Sequence, residues 1–187
     1  MHTFIIKKYR VLFSIFLFFI TGCAQFSLNF QDRIQVQEGE TCPIRVIGSR
    51  SLKEVFIDAL TIEPIPPLQE ILYSKLCQRD TVQKFIQDGT ELTVYVSNLR
   101  LNKVNHLIFA ELIGYTVGQV QVRRPGEEVF HKYLIMPTPT QLRKFFYLGK
   151  TAYKDFIEYV LEDFITEIEN TIYLIRENDV KQNTISY

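Results

Sequence analysis

Three cysteines and two histidines carry most of the chemistry that residue type and spacing could support in this sequence. Cys42 and Cys77 enclose a loop of about 35 residues, and a disulfide between them would contribute about 3–4 kcal/mol by the chain-entropy relation. Two buried thiols are the alternative, because free cysteine is among the most buried residue types. His106 and His131 show no metal-ligand spacing, so we predict no metal site. Cys23 stands apart, directly after a long apolar run.

Other patterns that resemble catalytic motifs are incomplete. Gly48-Ser49-Arg50-Ser51 lacks the second glycine of a hydrolase nucleophile elbow. Gly114 and Gly118 are not followed by the Lys-Ser/Thr of a phosphate loop, and they suit a bent strand better. Six acids on the last predicted helix are typical of a solvated face, or of a docking surface for a partner. We therefore predict that the chain is not an enzyme and uses no cofactor.

The first 22 residues have the pattern of a signal peptide. Lys7, Lys8 and Arg10 precede an apolar run from Val11 to Ile20, and the segment contains no acid. A helix of that run would span about 15 Å, roughly half of the hydrocarbon layer, so it is too short for a permanent membrane span. Its removal leaves 18 basic against 21 acidic residues, a net charge of −3.

The segment Ile20-Thr21-Gly22-Cys23 ends this signal peptide and resembles the lipobox of bacterial lipoproteins. The resemblance implies that diacylglycerol is joined to the sulfur of Cys23, that cleavage occurs just before it, and that the new amino terminus is acylated. Two or three acyl chains anchor a protein stably. Ala24 and Gln25 stand where an Asp usually retains Gram-negative lipoproteins in the inner membrane, which favours the periplasmic face of the outer membrane.

Composition indicates one globular domain, which we place at residues 23–187. The full chain has 187 residues with 21 basic and 21 acidic side chains, so electrostatics give no reason to expect nucleic acid as a partner. The low content of glycine and proline, 8 Gly and 7 Pro, argues against a disordered chain.

Hydrophobic periodicity in the first half predicts three strands and then two helices. Asp32 interrupts the alternation of the first strand, and Pro64, Pro66 and Pro67 are expected to end the third. The predicted elements are strands at 26–36, 44–47 and 55–62, a helix at about 67–78, and a further helical turn through Phe85 and Ile86 that Asp80 caps and Gly89 ends.

The second half predicts an antiparallel meander followed by helices. A turn at 102–105 and the Arg124–Glu127 turn, with Pro and Gly at its centre, separate the strands. Pro137 and Pro139 are expected to end the sheet, with Thr140 capping a helix. The predicted elements are strands at 92–97, 107–123 and 129–136, a short helix at 141–148, a long helix at 150–176 and a frayed tail from about 177.

A cationic and aromatic patch lies between these last breaks, at Arg143, Lys144, Phe145, Phe146 and Tyr147. Such residues suit a membrane interface or a protein partner. The alternative is that the two phenylalanines pack beneath the final helix while the cations stay solvated.

The assembled prediction is an α+β domain in which a single antiparallel sheet is covered by two helices, the second being the long C-terminal helix. In size, anchor and element order it is similar to the plug lipoprotein of lipopolysaccharide-assembly translocons and to auxiliary lipoproteins of phospholipid-transport ABC systems. The resemblance implies a non-enzymatic binding or accessory subunit of an envelope complex with a protein partner. The alternative is a protein that binds lipid or glycolipid between the sheet and the helices.

Overall fold

The computed structural model describes residues 24–33, 42–58, 60–145 and 148–185, and these form an α+β domain as predicted. The strands are β1 (Ala24–Asn29), β2 (Ile44–Gly48), β3 (Val55–Ile57), β4 (Leu60–Ile65), β5 (Glu91–Asn105), β6 (Phe109–Arg123), β7 (His131–Ile135) and β8 (Thr140–Phe145). The α-helices are α1 (Leu68–Cys77), α2 (Asp80–Ile86) and α3 (Lys150–Ile185). The predicted signal peptide and Cys23 lie outside the described residues.

The prediction of a single antiparallel sheet covered by two helices is wrong. The described strands form a three-stranded sheet in the order β1-β4-β3 and a five-stranded sheet in the order β2-β5-β6-β7, with β8 also paired to β6. Both sheets are mixed, because β1 pairs with β4 and β2 with β5 in parallel. Such pairings join strands distant along the chain, and local alternation carries no information about them.

Two of the predicted strands in the first half are divided by turns. The strand predicted at 26–36 ends at Asn29, whose side-chain oxygen accepts a hydrogen bond of 2.8 Å from the Gln31 amide and starts a 3-10 turn over Gln31–Arg33. The strand predicted at 55–62 is split into β3 and β4 at Asp58, which has a left-handed φ of 52°. The chain reverses there, so β3 and β4 form a hairpin, and β4 continues through Pro64 to Ile65.

The centre of the domain is the long hairpin of β5 and β6, with 15 residues in each strand. The turn predicted at 102–105 is wrong, because β5 stays paired with β6 as far as Asn105, opposite Ala110. The chain reverses instead at residues 106–108, where the His106 amide donates to the Phe109 carbonyl at 2.8 Å. A bulge between Val96 and Asn98 interrupts the register opposite Gly118.

The helix predicted at 141–148 is also wrong, since Thr140–Phe145 forms β8. β7 pairs with only Gly118–Val122 of β6, which leaves Phe109–Gly114 with one unpaired edge, and β8 completes that edge. As a strand, Thr140–Phe145 pairs with the backbone N–H and C=O groups on that edge of β6. A helix at the same place would leave those groups of β6 without hydrogen bonds to it. Pro137 and Pro139 break the edge between the two strands, as residues without a donor do.

Helix α3 packs along the inner face of β6 and supplies ten of the buried hydrophobic side chains of the core. Its buried stripe consists of Tyr153, Phe156, Ile157, Val160, Leu161, Phe164, Ile165, Ile168, Ile172 and Ile175. Opposite it, β6 alternates buried and half-buried residues along its whole length, as expected for a strand with one covered face. The helix end predicted at 176 is wrong, because the backbone stays helical to Ile185, and the fraying expected from about 177 stays a prediction.

Candidate functional site

The start of β1 is fixed to the first turns of α3. Ala24, the residue after Cys23, is opposite Leu60 in the β1–β4 register. Two residues later, the Phe26 ring lies 6.0 Å from the Tyr153 ring and 5.2 Å from the Lys150 amino group. The first described strand therefore begins directly after the predicted lipidation site, near the N-terminal end of α3.

The hairpin tip, which we define as residues 104–109, lies at this same end of the domain. The reason is that α3 and β6 run in the same direction: Gly114 faces Phe156 and Val160, whereas Gly118 faces Phe164. The N-terminal end of α3 therefore lies beside the N-terminal end of β6, where the hairpin reverses. The tip and Ala24 share one end of the molecule.

The hairpin tip exposes apolar side chains to solvent. Leu107 is 100% exposed, Ile108 51% and Val104 39%. Behind them the rings of His106 and Phe109 stack with centroids 4.1 Å apart. The tip was not predicted from the sequence, because residues 104–109 contain neither Gly nor Pro to mark a turn, and the alternation of β5 does not show where its pairing with β6 ends.

The structure places part of the predicted cationic patch beside the hairpin tip. Arg143 of β8 is opposite Glu111 of β6, and its guanidinium lies 4.9 Å above the Phe109 ring. Its Nη2 is 3.2 Å from Glu111 Oε1, and His106 Nε2 is 3.6 Å from Glu111 Oε2. Glu111 therefore connects the tip to the patch.

The remaining patch residues are only partly described. Lys144 is exposed and opposite Ala110, and Phe145 is opposite Phe109 at the end of β8. Phe146 and Tyr147 lie outside the described residues. The prediction that the two phenylalanines pack beneath α3 therefore stays a prediction.

A second exposed surface is the outer face of the five-stranded sheet, opposite α3. One row across this face is formed by Ile47, Tyr95, Gln119 and Leu134, which are cross-strand neighbours. Ile47 is 44% exposed and Leu134 70%. Further along β6, the half-buried side chains of Ile113, Tyr115 and Val117 alternate with the buried ones and so point to the same face.

Cys42 and Cys77 form a disulfide in the structure, with Cα atoms 5.8 Å apart. It connects the segment before β2 to the last residue of α1. The Gln83 amide donates to the Cys77 carbonyl at 2.6 Å, and the Tyr73 hydroxyl donates to the Cys42 carbonyl at 3.2 Å. The disulfide is thus held by side chains from both short helices.

The acidic residues of α3 take part in contacts within the domain. Glu162 forms ion pairs with Lys75 and Arg79, and Arg79 also lies 3.9 Å from Glu169. Asp163 accepts a hydrogen bond from the Thr140 hydroxyl. Three of the six acids, Glu162, Asp163 and Glu169, therefore hold α3 to α1, to Arg79 directly before α2, and to β8, while a docking role for the acidic face stays a prediction.

The two histidines are at opposite ends of β6 and do not share a site. His131 Nε2 is 3.3 Å from Glu127 Oε2, in the turn that follows β6. The backbone amide of Arg124 donates to Glu127 and holds the pKa of that carboxyl below its ordinary value. His106 lies in the hairpin tip, at the other end of the strand.

The serines of the incomplete elbow motif have structural contacts. The Ser49 and Ser51 hydroxyls lie 2.6 Å apart, and Ser51 Oγ accepts a 3.0 Å hydrogen bond from the Leu99 amide of β5. They fasten the turn after β2 to the neighbouring strand.

No protein-family model matches the chain, and no curated protein matches it. Among the described residues, no group of three or more His, Cys, Asp or Glu side chains is placed to hold a metal ion. Within the same part of the chain, no helix combines the length and apolar character that crossing a membrane requires.

Proposed function

We propose that this chain is a lipid-anchored, non-enzymatic binding subunit of a bacterial envelope complex, attached through acyl chains on Cys23. One observation supports this most strongly: β1 begins at Ala24 and is paired with β4 over all six of its residues. An anchor on Cys23 would hold the folded domain against the bilayer with a fixed end toward it. Such a fixed orientation suits a protein that positions another component.

The location follows from the same segment of sequence. Ala24 and Gln25 stand where an Asp would favour retention in the inner membrane, so we place the protein at the periplasmic face of the outer membrane. The acyl chains are sufficient for stable attachment without a spanning helix.

The outer face of the five-stranded sheet is the surface that we assign to the protein partner. It combines the half-buried Tyr95, Tyr115 and Val117 with the more exposed Ile47 and Leu134. Tyrosine is enriched at the centre of protein interfaces, and the fully buried core of an interface is more apolar than the rest of a protein surface.

Lipid binding between the sheet and the helices is the less favoured alternative. At Gly114 and Gly118 the inner face of β6 lies so close to α3 that an added Cβ would come within 3.0 Å of Phe156 and 2.7 Å of Phe164. Packing this close leaves no room for an acyl chain at those positions. The polar contacts of Ser49, Ser51 and Glu162 likewise serve the fold and support a non-enzymatic role.

Metabolic labelling with palmitate tests the anchor. We expect Cys23→Ser to abolish labelling and to leave uncleaved precursor, because the thiol is the site of attachment. Cys42→Ser is the matched control and should be labelled like the wild type. Labelling that persists in Cys23→Ser contradicts the anchor.

Pull-down from mildly solubilised membranes tests the binding role, with mass spectrometry of proteins and lipids. We expect one near-stoichiometric envelope protein, and we expect Leu134→Glu to remove it by placing a charge on the outer face. Leu174→Glu, at an exposed position on α3, should retain it. A defined lipid without any protein partner would instead support the lipid-binding alternative.

A further inference from the structure

We propose that the hairpin tip is a second membrane contact, which inserts Leu107 and Ile108 into the interface of an anionic phospholipid bilayer. The proposal rests on the lipid anchor of the proposed function, because that anchor brings this end of the domain to the membrane. It adds a site within the fold that binds lipid independently of the acyl chains.

The exposure of the tip is the first observation that supports insertion. Leu107 and Ile108 are consecutive, apolar and exposed, and Val104 adds to the same surface. Burial of apolar side chains gains roughly 25 cal/mol per Å² removed from water, so exposed leucine and isoleucine at a protruding turn favour an apolar environment. Single exposed apolar residues are ordinary, whereas a cluster at the end of a hairpin is the form of an interaction surface.

The charges around the tip indicate which apolar environment the tip enters. Lys103 and Lys144 are opposite Leu112 and Ala110, on the inner face of the sheet, whereas Arg143 is opposite Glu111 on the outer face. Cations therefore flank the apolar tip on both faces of the hairpin. Lysine and arginine place their charged ends at the level of lipid headgroups while their stems contact apolar surface, and anionic lipids attract them.

Glu111 offsets the charge of Arg143, so Lys103 and Lys144 carry the net positive charge beside the tip. Its carboxylate lies 3.2 Å from Arg143 and 3.6 Å from His106. The His106 and Phe109 rings stack behind the tip, where aromatic side chains occupy the membrane–water boundary in other proteins. The order from the end of the hairpin is thus apolar, then aromatic, then cationic, which matches the order of a bilayer interface.

The geometry of the anchored end makes insertion compatible with lipidation. The Lys150 amino group and the Tyr153 ring, at the start of α3, contact Phe26, two residues after Ala24. The start of β6 lies at this same end of α3. The acyl chains proposed on Cys23 and the hairpin tip can therefore contact the same bilayer. Two contacts fix the tilt of the domain relative to the bilayer, whereas a single contact leaves the tilt free.

A tryptophan reporter tests the proposal, because the chain contains no Trp. The lipidated full-length protein carrying Leu107→Trp is reconstituted into phosphatidylethanolamine vesicles that contain phosphatidylglycerol and brominated lipid. We expect a blue-shifted emission and strong quenching that place the indole roughly 5–10 Å into the headgroup and acyl boundary. The control is Val129→Trp, because Val129 is 68% exposed in the loop after β6, at the opposite end of the sheet, and an indole there should stay unquenched.

The charge contribution has its own test. Replacing Lys103 and Lys144 by Gln in the Leu107→Trp protein should lower the ratio of inserted to free tip on the order of fivefold per cation at low salt. Vesicles without phosphatidylglycerol should give the same loss.

Three outcomes separate the two proposals. If the Leu107→Trp protein floats with the vesicles while its indole gives a water-like emission and no quenching, the tip does not insert and the inference is overturned. Protection of this indole in native envelopes but not in vesicles assigns the tip to a protein and also overturns it. If mass spectrometry shows no acyl group but the indole is still quenched on vesicles, the anchor of the proposed function fails and the tip contact is supported.

Discussion

Gly118 of β6 lies directly beneath the ring of Phe164 of α3, and a Cβ at this glycine would be 2.7 Å from the ring atom Cζ. The same Cβ would overlap the Tyr95 carbonyl oxygen across the bulge of β5. Both the helix and the neighbouring strand therefore require a residue without a Cβ at this position. This close approach sets the distance between α3 and the sheet.

Gly118→Ala should therefore destabilise the domain by about 2–3 kcal/mol, because overpacking against a backbone carbonyl forces a strand to move. Gly114→Ala should cost less, about 1–2 kcal/mol, because its close neighbours are the side chains of Leu101, Val160 and Phe156, which can adjust. Urea unfolding followed by circular dichroism measures both. Ser97→Ala, at an exposed position of β5, is the control, and equal stability of all three variants would contradict the packing described.

Loss of the Cys42–Cys77 disulfide should lower the free energy of unfolding by about 3–4 kcal/mol. We expect Cys42→Ser and the double variant with Cys77→Ser to have the same stability, since each removes the same crosslink. Urea unfolding with and without reductant provides the measurement, and mobility on non-reducing gels reports the pairing directly. Two thiols that react with maleimide in the unreduced wild-type protein would show that the pair is not formed.

Arg79 should contribute more to stability than an isolated surface cation, because it contacts both Glu162 and Glu169 of α3. We expect Arg79→Gln to cost about 1 kcal/mol, the upper range for partly exposed ion pairs. Arg50→Gln is the control, because the Arg50 side chain is 76% exposed and pairs only with the near neighbour Glu54 among the described residues. Thermal unfolding at low and high salt should show a salt-sensitive difference for Arg79→Gln alone.

Asp88 should make stability depend on pH in the acid range. The Thr90 hydroxyl donates to Asp88 Oδ1 at 2.6 Å, and this hydrogen bond lowers the pKa of the carboxyl from its ordinary value of 3.8. Because the folded-state pKa is the lower one, the stabilisation is complete at neutral pH and is lost as pH falls through the folded-state pKa.

Asp88→Asn should remove that dependence, because the amide keeps an acceptor but carries no charge. The difference in urea midpoint between wild type and Asp88→Asn should be largest near neutral pH and should shrink below about pH 4. Thr90→Val offers a second check, since it removes the hydroxyl that lowers the pKa. A difference that stays constant from neutral to acid pH would contradict the role of this carboxylate.

Local periodicity predicted the elements whose neighbours are close along the chain. The helix expected at about 67–78 is Leu68–Cys77, and the further turn expected through Phe85 and Ile86 is the helix Asp80–Ile86, in which Asp80 lies in the first turn and Arg79 takes the capping position. The Arg124–Glu127 turn has Gly126 at a φ of 82° and a 3.1 Å hydrogen bond from the Glu127 amide to the Arg124 carbonyl, as its Pro-Gly centre predicts.

Predictions failed where a distant strand decided the structure. Thr140–Phe145 has no strong strand pattern, and it becomes β8 because Phe109–Gly114 of β6 offers it an unpaired edge. Likewise β1 pairs in parallel with β4, and β2 with β5, and each partner strand lies further along the chain. The candidate site depends on these pairings, because the β6–β8 pairing brings Arg143 beside the hairpin tip. The sequence around Leu107 and around Arg143 does not show that the two residues lie close together.

The length of α3 has a practical consequence for testing the proposed attachment to a membrane. Its 36 residues extend about 54 Å at 1.5 Å per residue, and its first turns contact Phe26, three residues after the predicted lipidation site. A fluorophore or affinity handle placed near Tyr173, which is 64% exposed, would thus be separated from the start of α3 by much of that distance. Probes at the two ends of α3 would therefore report the tilt of the domain relative to a bilayer.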